Sequence, residues 1–237
     1  MRICLVYETL YPHFRGGAER WYRNLAERLA AEGFDVTYLT LRRWDPGADP
    51  DLPGVRVVTV GPALPLYAGG RRRASTTLRF GTAVSAHLLR HGDRYDVVHT
   101  AALQLTSLGA AAARRRHRFR LVVDWFEVWR RAYWLEYLGP LLGRIAWQVQ
   151  QVSMRTDHEA ICFSRLHERR LREGGFSGRI TRVGGIYAGP LEPPEVHAAE
   201  PMTVFLGRHI PEKRVRAVVP AVARARERAP ELRARIF

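Results

Sequence analysis

The sequence has little cysteine and no long apolar run, and these two features narrow the class of protein. Its 237 residues include two cysteines, Cys4 and Cys162, each inside a short apolar segment. Such cysteines are typical of small buried side chains in a reducing compartment rather than of a disulfide or metal framework. No apolar run approaches the roughly 20 residues that a helix needs to cross a bilayer. The sequence therefore predicts a cytoplasmic protein without a membrane-spanning helix.

Lysine is nearly absent, whereas arginine is abundant. The two together number 38 against 23 acidic residues, which gives a formal charge of +15, and Lys213 is the only lysine. A positive charge of this size favours binding to a polyanion. Arginine spread along the whole chain is, however, also expected from a GC-rich coding bias. No recognisable nucleic-acid-binding module accompanies the arginines, so nucleic acid is not an expected partner. Two runs, Arg71–Arg73 and Arg114–Arg118, could still meet an anionic membrane.

Short apolar runs alternate with amphipathic segments along the chain. Helices are predicted from Ala18 to Glu32 and from Ser75 to His91, and a long helical stretch over 128–157 should break at Gly139-Pro140. Strands are predicted between them, at 2–7, 36–41, 55–60, 95–100, 119–124, 160–164 and 179–183. This alternation is typical of βαβ units. The sequence therefore predicts an α/β fold with a Rossmann-like, doubly wound parallel sheet.

The composition changes near residue 188, which divides the chain into domains. Four prolines lie within 188–201 and exclude regular structure, so this segment is predicted to be a linker between an N-terminal domain over 1–187 and a second Rossmann-like domain over 202–237. A strand at 203–206, a helix at 212–228 and a strand at 232–237 are expected there. About 35 residues cannot bury a core of their own, so the second domain is expected to be incomplete.

Two loops after predicted strands contain residues suited to phosphate. Gly16-Gly17 begins a helix, where backbone N–H groups and the helix dipole favour an anion, although a plain turn explains the pair equally well. The dinucleotide pattern G-x-G-x-x-G is absent. Arg208 and Lys213, five positions apart between a strand and a helix, could clamp a diphosphate from two sides. A solvated lysine at a helix end is the alternative.

Four motifs in order resemble glycosyltransferase family 4. They are Gly16-Gly17-Ala18-Glu19, the strand 95–99 ending in His99, Cys162-Phe163-Ser164 before a helix that ends in glycine, and Gly207-Arg208 followed by Glu212-Lys213. The resemblance covers essentially the whole chain. It implies a retaining enzyme of the GT-B fold, which moves a sugar from a nucleoside-diphosphate donor to an acceptor hydroxyl.

The resemblance also implies roles for particular residues. Gly16 and Gly17 would face the donor diphosphate from an N-terminal domain that holds the acceptor. Arg208 and Lys213 would stabilise the charge on the departing diphosphate, so neither a metal nor another cofactor is expected. The partners would be a nucleotide sugar and a sugar or lipid-linked acceptor. A lipid-linked acceptor would bring the cytoplasmic enzyme to the inner face of the membrane.

The sequence departs from the family pattern at one important position. Many members carry a histidine followed by an acidic residue just after the strand that here ends at Asp124, and alignment of the motif places Phe126 and Glu127 there. A phenyl ring can neither hydrogen-bond a sugar hydroxyl nor relay a proton. Asp124, Glu127 and His99 are the candidates for the catalytic role instead.

Two further features bear on substrate binding. Four aromatic residues follow the same strand and could stack on an acceptor sugar or form core, namely Trp125, Trp129, Tyr133 and Trp134. The family's pair of glutamates, eight positions apart, would lie beyond Phe237. The chain as it stands is therefore expected to fold over its first ~190 residues without transferring sugar, because the donor must be gripped from both domains.

Two other functions fit the same motifs. One is a non-catalytic remnant or an acceptor-binding fragment, and the other is a GT-B-fold epimerase that acts on a nucleotide sugar without an acceptor. A donor-consumption assay with and without acceptor separates an epimerase from a transferase.

Overall fold

The computed structural model of the protein describes residues 1–45, 47–68, 71–102, 105–185, 192, 200–207, 209 and 213–237. The chain divides into two units, Met1–Ile186 and Tyr187–Phe237. Most of the predicted linker lies outside the described residues, so the domain boundaries stay a prediction.

The first unit is built on nine described strands, seven of which form one sheet. In chain order they are β1 (Arg2–Val6), β2 (Asp35–Arg42), β3 (Val55–Pro62), β4 (Tyr67–Ala68), β5 (Arg71–Arg72), β6 (Val97–Ala101), β7 (Arg120–Trp125), β8 (Glu159–Cys162) and β9 (Ile180–Arg182). The sheet has the order β3-β2-β1-β6-β7-β8-β9, and every pair in it is parallel. The strands β4 and β5 form a separate antiparallel pair that the sequence did not predict. The prediction of a doubly wound parallel sheet is confirmed.

Six α-helices connect these strands in the part of the unit that the structure describes. They are α1 (Gly17–Ala31), α2 (Ala74–His91), α3 (Thr106–Arg114), α4 (Arg131–Leu138), α5 (Pro140–Met154) and α6 (Arg165–Glu173). Strand order reverses between β1 and β6, and in a doubly wound sheet the crevice that receives ligands opens at the carboxyl ends of those two strands. The fold therefore points to the loops after β1 and β6 as a place for a site.

The core lies on both faces of the sheet. On one face, side chains such as Val6, Val98 and Val123 pack with Phe80 and Val84 of α2. On the other face, side chains of β1 and β2 pack with Tyr22 and Ala26 of α1. Burial on both faces explains why these strands read as nearly continuous apolar runs.

The long helical stretch is broken where the sequence predicted. Helix α4 ends at Leu138, and α5 begins at Pro140, whose missing N–H is harmless in a first turn. The two helices pack very closely, because a Cβ at Gly143 would lie 2.4 Å from the carbonyl oxygen of Trp134. Glycine at this position therefore allows the α4–α5 pair to form.

The second unit contains one βαβ motif in its described part. Its strands β10 (Met202–Phe205) and β11 (Arg233–Ile236) pair in parallel, with α7 (Val218–Arg226) between them. Helix α7 begins later than the predicted position near 212, since Pro220 lacks an amide donor and is best accommodated in a first turn. No residue that the structure describes within 200–237 is buried.

Among the helices that the structure describes, none is long and apolar enough to cross a membrane.

A buried histidine lies at the amino end of β8. The indole of Trp125 donates to His158 Nε2 at 3.1 Å, and His158 Nδ1 is 2.8 Å from the carbonyl oxygen of Thr156. Burial lowers the pKa of His158 to about 4, although the Thr156 carbonyl opposes the shift. His158 is therefore neutral, with its proton on Nδ1.

The stability of the chain should fall in mild acid because of this residue. Between about pH 6.5 and 4, His158 is protonated in the unfolded chain but stays neutral in the folded chain. The free energy of unfolding therefore decreases as the pH falls through that window, by roughly 1–3 kcal/mol. Urea unfolding at pH 7.5 and at pH 5 measures the loss. His158→Gln should reduce the pH dependence, whereas the exposed control His209→Gln should retain it. An unchanged pH dependence in His158→Gln would contradict this assignment.

Candidate functional site

Helix α1 begins at the switch point of the sheet, and the Glu19 carboxylate lies against Gly16, the residue just before the helix. Thr9 Oγ1 donates to Glu19 Oε1 at 2.8 Å, and a Cβ at Gly16 would lie 2.2 Å from Glu19 Oε2. A side chain at position 16 would therefore displace the Glu19 carboxylate, whose charge favours the start of the helix dipole. A Cβ at Gly17 would meet nothing within 4 Å. Room for a ligand to approach the helix start lies at Gly17.

A cation that the sequence analysis did not single out lies close to this helix start. Arg43 follows β2 directly, and its guanidinium carbon is 5.8 Å from the centre of the Phe14 ring. Burial lowers the pKa of Arg43, and the nearby Glu19 carboxylate opposes that shift. The sequence signal that could have identified Arg43 is its position just after the carboxyl end of a strand. Arg43 places a positive charge beside the loop that leads to Gly16.

The structure brings together His99 and Asp124. Asp124 is fully buried, and its Oδ1 lies 2.8 Å from His99 Nε2. Its Oδ2 accepts a hydrogen bond of 2.8 Å from the indole N–H of Trp21 in α1. Burial raises the pKa of the neighbouring Tyr22 hydroxyl well above its usual range, and the Asp124 carboxylate adds to this shift. Both Asp124 oxygens are thus engaged inside the protein.

Glu127 and Phe126 lie just beyond this cluster. The Phe126 ring stacks on Phe163 with centroids 4.9 Å apart, and the ring of Phe163 meets Trp21 edge-on at 4.9 Å. The position at which the family resemblance leads one to expect histidine is thus part of an aromatic cluster. Glu127 is exposed, unlike Asp124 and His99. The three catalytic candidates therefore have different surroundings, and Glu127 alone among them is open to solvent.

The aromatic residues after β7 divide into core and surface. Trp125 and Trp134 are buried, whereas Trp129 and Tyr133 are half-exposed and lie edge-on to each other at 4.6 Å. Gln150 of α5 anchors this region from inside, since its amide bonds both backbone groups of Trp129 and accepts from the indole of Trp134 at 3.1 Å. The half-exposed rings can contact a ligand, and the buried ones cannot.

The motif Cys162-Phe163-Ser164 has a structural explanation. The Ser164 hydroxyl caps α6 by accepting a hydrogen bond of 3.1 Å from the backbone N–H of His167. Burial raises the pKa of the Cys162 thiol, and that of Cys4 likewise. Neither thiol is a nucleophile at neutral pH.

The predicted diphosphate clamp belongs to the second unit. Lys213 is exposed and lies just before a short 3₁₀ helix at Val215–Ala217, and Arg208 lies outside the described residues. The clamp stays a prediction.

The two arginine runs occupy opposite edges of the sheet. Arg73 is exposed immediately before α2, on the carboxyl side of β3, whereas Arg114–Arg118 follow α3 on the side where β7 begins. The Arg114 guanidinium is held by Asp157, 3.0 Å from its carboxylate. A flat surface at the candidate site could meet the first run only.

Comparison with known proteins gives one family and a related fold. The profile of a family described as a glycosyl transferase 4-like domain matches residues 16–185. No curated protein sequence matches the chain. Sucrose-phosphate synthase from Thermosynechococcus elongatus superposes with a TM-score of 0.73 at 20% identity, over 99% of this chain and 61% of that chain. The lipopolysaccharide outer core galactosyltransferase WaaB gives a TM-score of 0.49 at 12% identity, over 87% of this chain and 52% of that one.

The family match confirms the resemblance over 16–185, which contains three of the four motifs. The chain spans about three fifths of the length of sucrose-phosphate synthase, 61%, and shares its fold. The first unit is thus a Rossmann-like domain of the GT-B type. Because the family profile covers well over half of the residues, including Gly16, His99 and Asp124, this chain belongs to the glycosyl transferase 4-like family.

Proposed function

We propose that the chain contributes the acceptor-side domain of a retaining glycosyltransferase, which moves a sugar from a nucleoside diphosphate to an acceptor hydroxyl. The observation that carries the proposal is the family match over 16–185, which contains the Gly16-Gly17 helix start and the His99–Asp124 cluster. In this reaction the anomeric carbon exchanges its bond to a diphosphate oxygen for one to the acceptor oxygen. The proton of the acceptor hydroxyl leaves to the diphosphate or to a protein base.

The donor diphosphate would be held by positive charge and by the start of α1. Gly17 leaves open space there, and Arg43 adds a cation beside the loop. Arg208 and Lys213 would stabilise the leaving diphosphate. These cations take the part that a divalent metal plays elsewhere, so we propose that no metal and no other cofactor is needed.

The three acid–base candidates would act differently. Asp124 has both oxygens engaged inside the protein, so it serves as a positioning residue that holds His99 and the Trp21 indole. Glu127 is exposed and is the carboxylate that could bond an acceptor hydroxyl or accept its proton.

We place the enzyme in the cytoplasm, with peripheral contact to the inner face of an anionic membrane when the acceptor is lipid-linked. The formal charge of +15 supports this location.

Nucleoside-diphosphate release with and without acceptor tests the proposed reaction. The 237-residue chain, and a form that carries a complete second domain, are compared on a panel of donors, with sugars and lipid-linked sugars as acceptors. Acceptor-dependent release with retained anomeric configuration by NMR supports the proposal, and we expect it from the form with the complete second domain, because the donor must be gripped from both domains. Donor turnover that ignores the acceptor would instead indicate an epimerase or a hydrolase.

The diphosphate clamp is tested in the same active protein. Lys213→Ala and Arg208→Ala should each lower kcat on the order of 10²-fold while circular dichroism is unchanged, since each removes one charge contact made in the transition state. The matched control Arg224→Ala, which removes an exposed arginine from α7, should keep its rate. Unchanged kinetics in both clamp variants would exclude the clamp.

Substitutions of Asp124 and Glu127 should differ in their effects: the first should lower mainly stability and the second mainly turnover. Asp124→Asn leaves one of two buried donors without an acceptor, so we expect the free energy of unfolding to fall by roughly 1–3 kcal/mol. Glu127→Gln keeps the size and the exposed position of the side chain, so we expect it to cost less stability than Asp124→Asn and to lower turnover on the order of 10²-fold. Urea unfolding of the chain and kinetics of the active protein measure the two effects. Full turnover in Glu127→Gln would remove it from the proposal.

A further inference from the structure

Helix α5 exposes four apolar side chains and buries two polar ones, although Met154 is buried in the core and Arg144 and Gln148 are exposed. Leu141, Leu142, Ile145 and Val152 are 71%, 55%, 52% and 51% exposed, whereas Gln150 and Ser153 are buried. A helix on the surface of a water-soluble domain normally has the opposite arrangement. These exposed apolar side chains make the outer face of α5 a candidate contact surface.

The exposed apolar residues form one stripe. At 3.6 residues per turn, Leu141, Ile145 and Val152 fall within about 40° of each other around the helix axis, and Leu142 borders them. We call these four side chains the apolar stripe. The exposed Gln148 lies on the same face, between Ile145 and Val152. Single exposed apolar residues need no explanation, but a cluster of them such as Leu141, Leu142 and Ile145 marks an interaction surface.

Arginines border the apolar stripe on one side. Arg144 and Arg155 are exposed on one shoulder of α5. Helix α4, with the exposed Arg130 and Arg131 at its start, packs on the side of α5 that carries Gly143 and Gln150, away from the stripe. Glu136 is the single acidic residue within 130–155. The Arg131 guanidinium lies 5.6 Å from the Trp147 ring. Arginine beside aromatic and apolar side chains is the composition of helices that lie in the headgroup region of anionic bilayers.

A second copy of the chain fits this surface less well than a bilayer. A stable protein–protein interface takes about 20–30 residues a side and is depleted of charge at its centre. The stripe offers four strongly exposed apolar side chains, and the exposed Arg144 and Arg155 flank it. Like-charged arginines would face each other across a symmetric dimer, whereas lipid phosphates complement them.

The position of the stripe relates it to the candidate site. Helix α5 precedes β8, so its first turn lies at the carboxyl edge of the sheet and its last turn at the opposite edge. Leu141, Leu142 and Ile145 are therefore near the edge that carries Glu127. Contact at α5 would bring that edge to a lipid surface.

We propose that the apolar stripe of α5, with its flanking arginines, is the surface by which the protein lies on an anionic bilayer. It rests on the proposed membrane contact and not on sugar transfer. It assigns that contact to a surface other than the Arg71–Arg73 and Arg114–Arg118 runs. The bilayer meets the stripe through its acyl boundary and the arginines through its phosphates.

Vesicle flotation of the 237-residue chain tests the surface without any sugar donor. Wild type should float with vesicles of phosphatidylglycerol and phosphatidylcholine and much less with phosphatidylcholine alone. The triple variant Leu141→Ser, Ile145→Ser, Val152→Ser should lose at least about tenfold in partition, because its apolar contact is removed. The control Leu78→Ser, Leu89→Ser removes apolar residues that are 57% and 42% exposed on α2 and should float like wild type.

A labelled single cysteine provides a second readout that does not depend on the triple variant. Cys4 and Cys162 are buried, so Ile145→Cys can be labelled selectively with a polarity-sensitive fluorophore. Its emission should shift to the blue on anionic vesicles, whereas Leu78→Cys should not respond.

Several outcomes would overturn the proposal. They are absence of wild-type flotation, equal flotation of the triple variant, an unresponsive label at position 145, and a dimer that the triple variant converts to a monomer. The last result would assign the stripe to a second copy. Loss of sugar transfer with intact flotation would count against the proposed function alone.

Discussion

Asp124 joins three elements of the first unit through one buried carboxylate. It lies in β7, accepts from the imidazole of His99 in β6, and accepts from the indole of Trp21 in α1, at 2.8 Å in each case. A buried charge is tolerated only when donors surround it, so these contacts form together or not at all. The direction of α1 across the sheet, and with it the position of the Gly16-Gly17 helix start, depends on this carboxylate.

The burial of Asp124 also bears on the surroundings of Phe126, the residue that follows β7. With Asp124 turned inward to the α1 face, the chain leaves β7 through Trp125 and Phe126, whose rings pack on His158 and Phe163. The position at which the resemblance leads one to expect a histidine is therefore filled by a packed ring. Glu127 is the acidic residue that the path of the chain leaves at the surface. Burial, more than residue type, separates the groups that can act on a substrate from those that hold the site.

The α4–α5 pair shows how polar interior and apolar exterior can coexist. Gln150 is acceptable inside because both ends of its amide are bonded to Trp129 and Trp134, and Gly143 allows the close approach that this requires. The inner face of α5 also places Met154 in the core, whereas Leu141, Leu142, Ile145 and Val152 lie on its outer face.

The sequence by itself determined the order of strands and helices, the break at Gly139-Pro140 and the family, because periodicity, proline and short motifs are local signals. It missed the short pair β4–β5 and placed the start of α7 too early. It named His99 and Asp124 but could not show that they meet, and it overlooked Arg43. The tertiary structure decided these points, since His99 and Asp124 are 25 positions apart and Trp21 and Asp124 are 103 apart. Such pairs are brought together by strand order and helix packing, which no local pattern encodes.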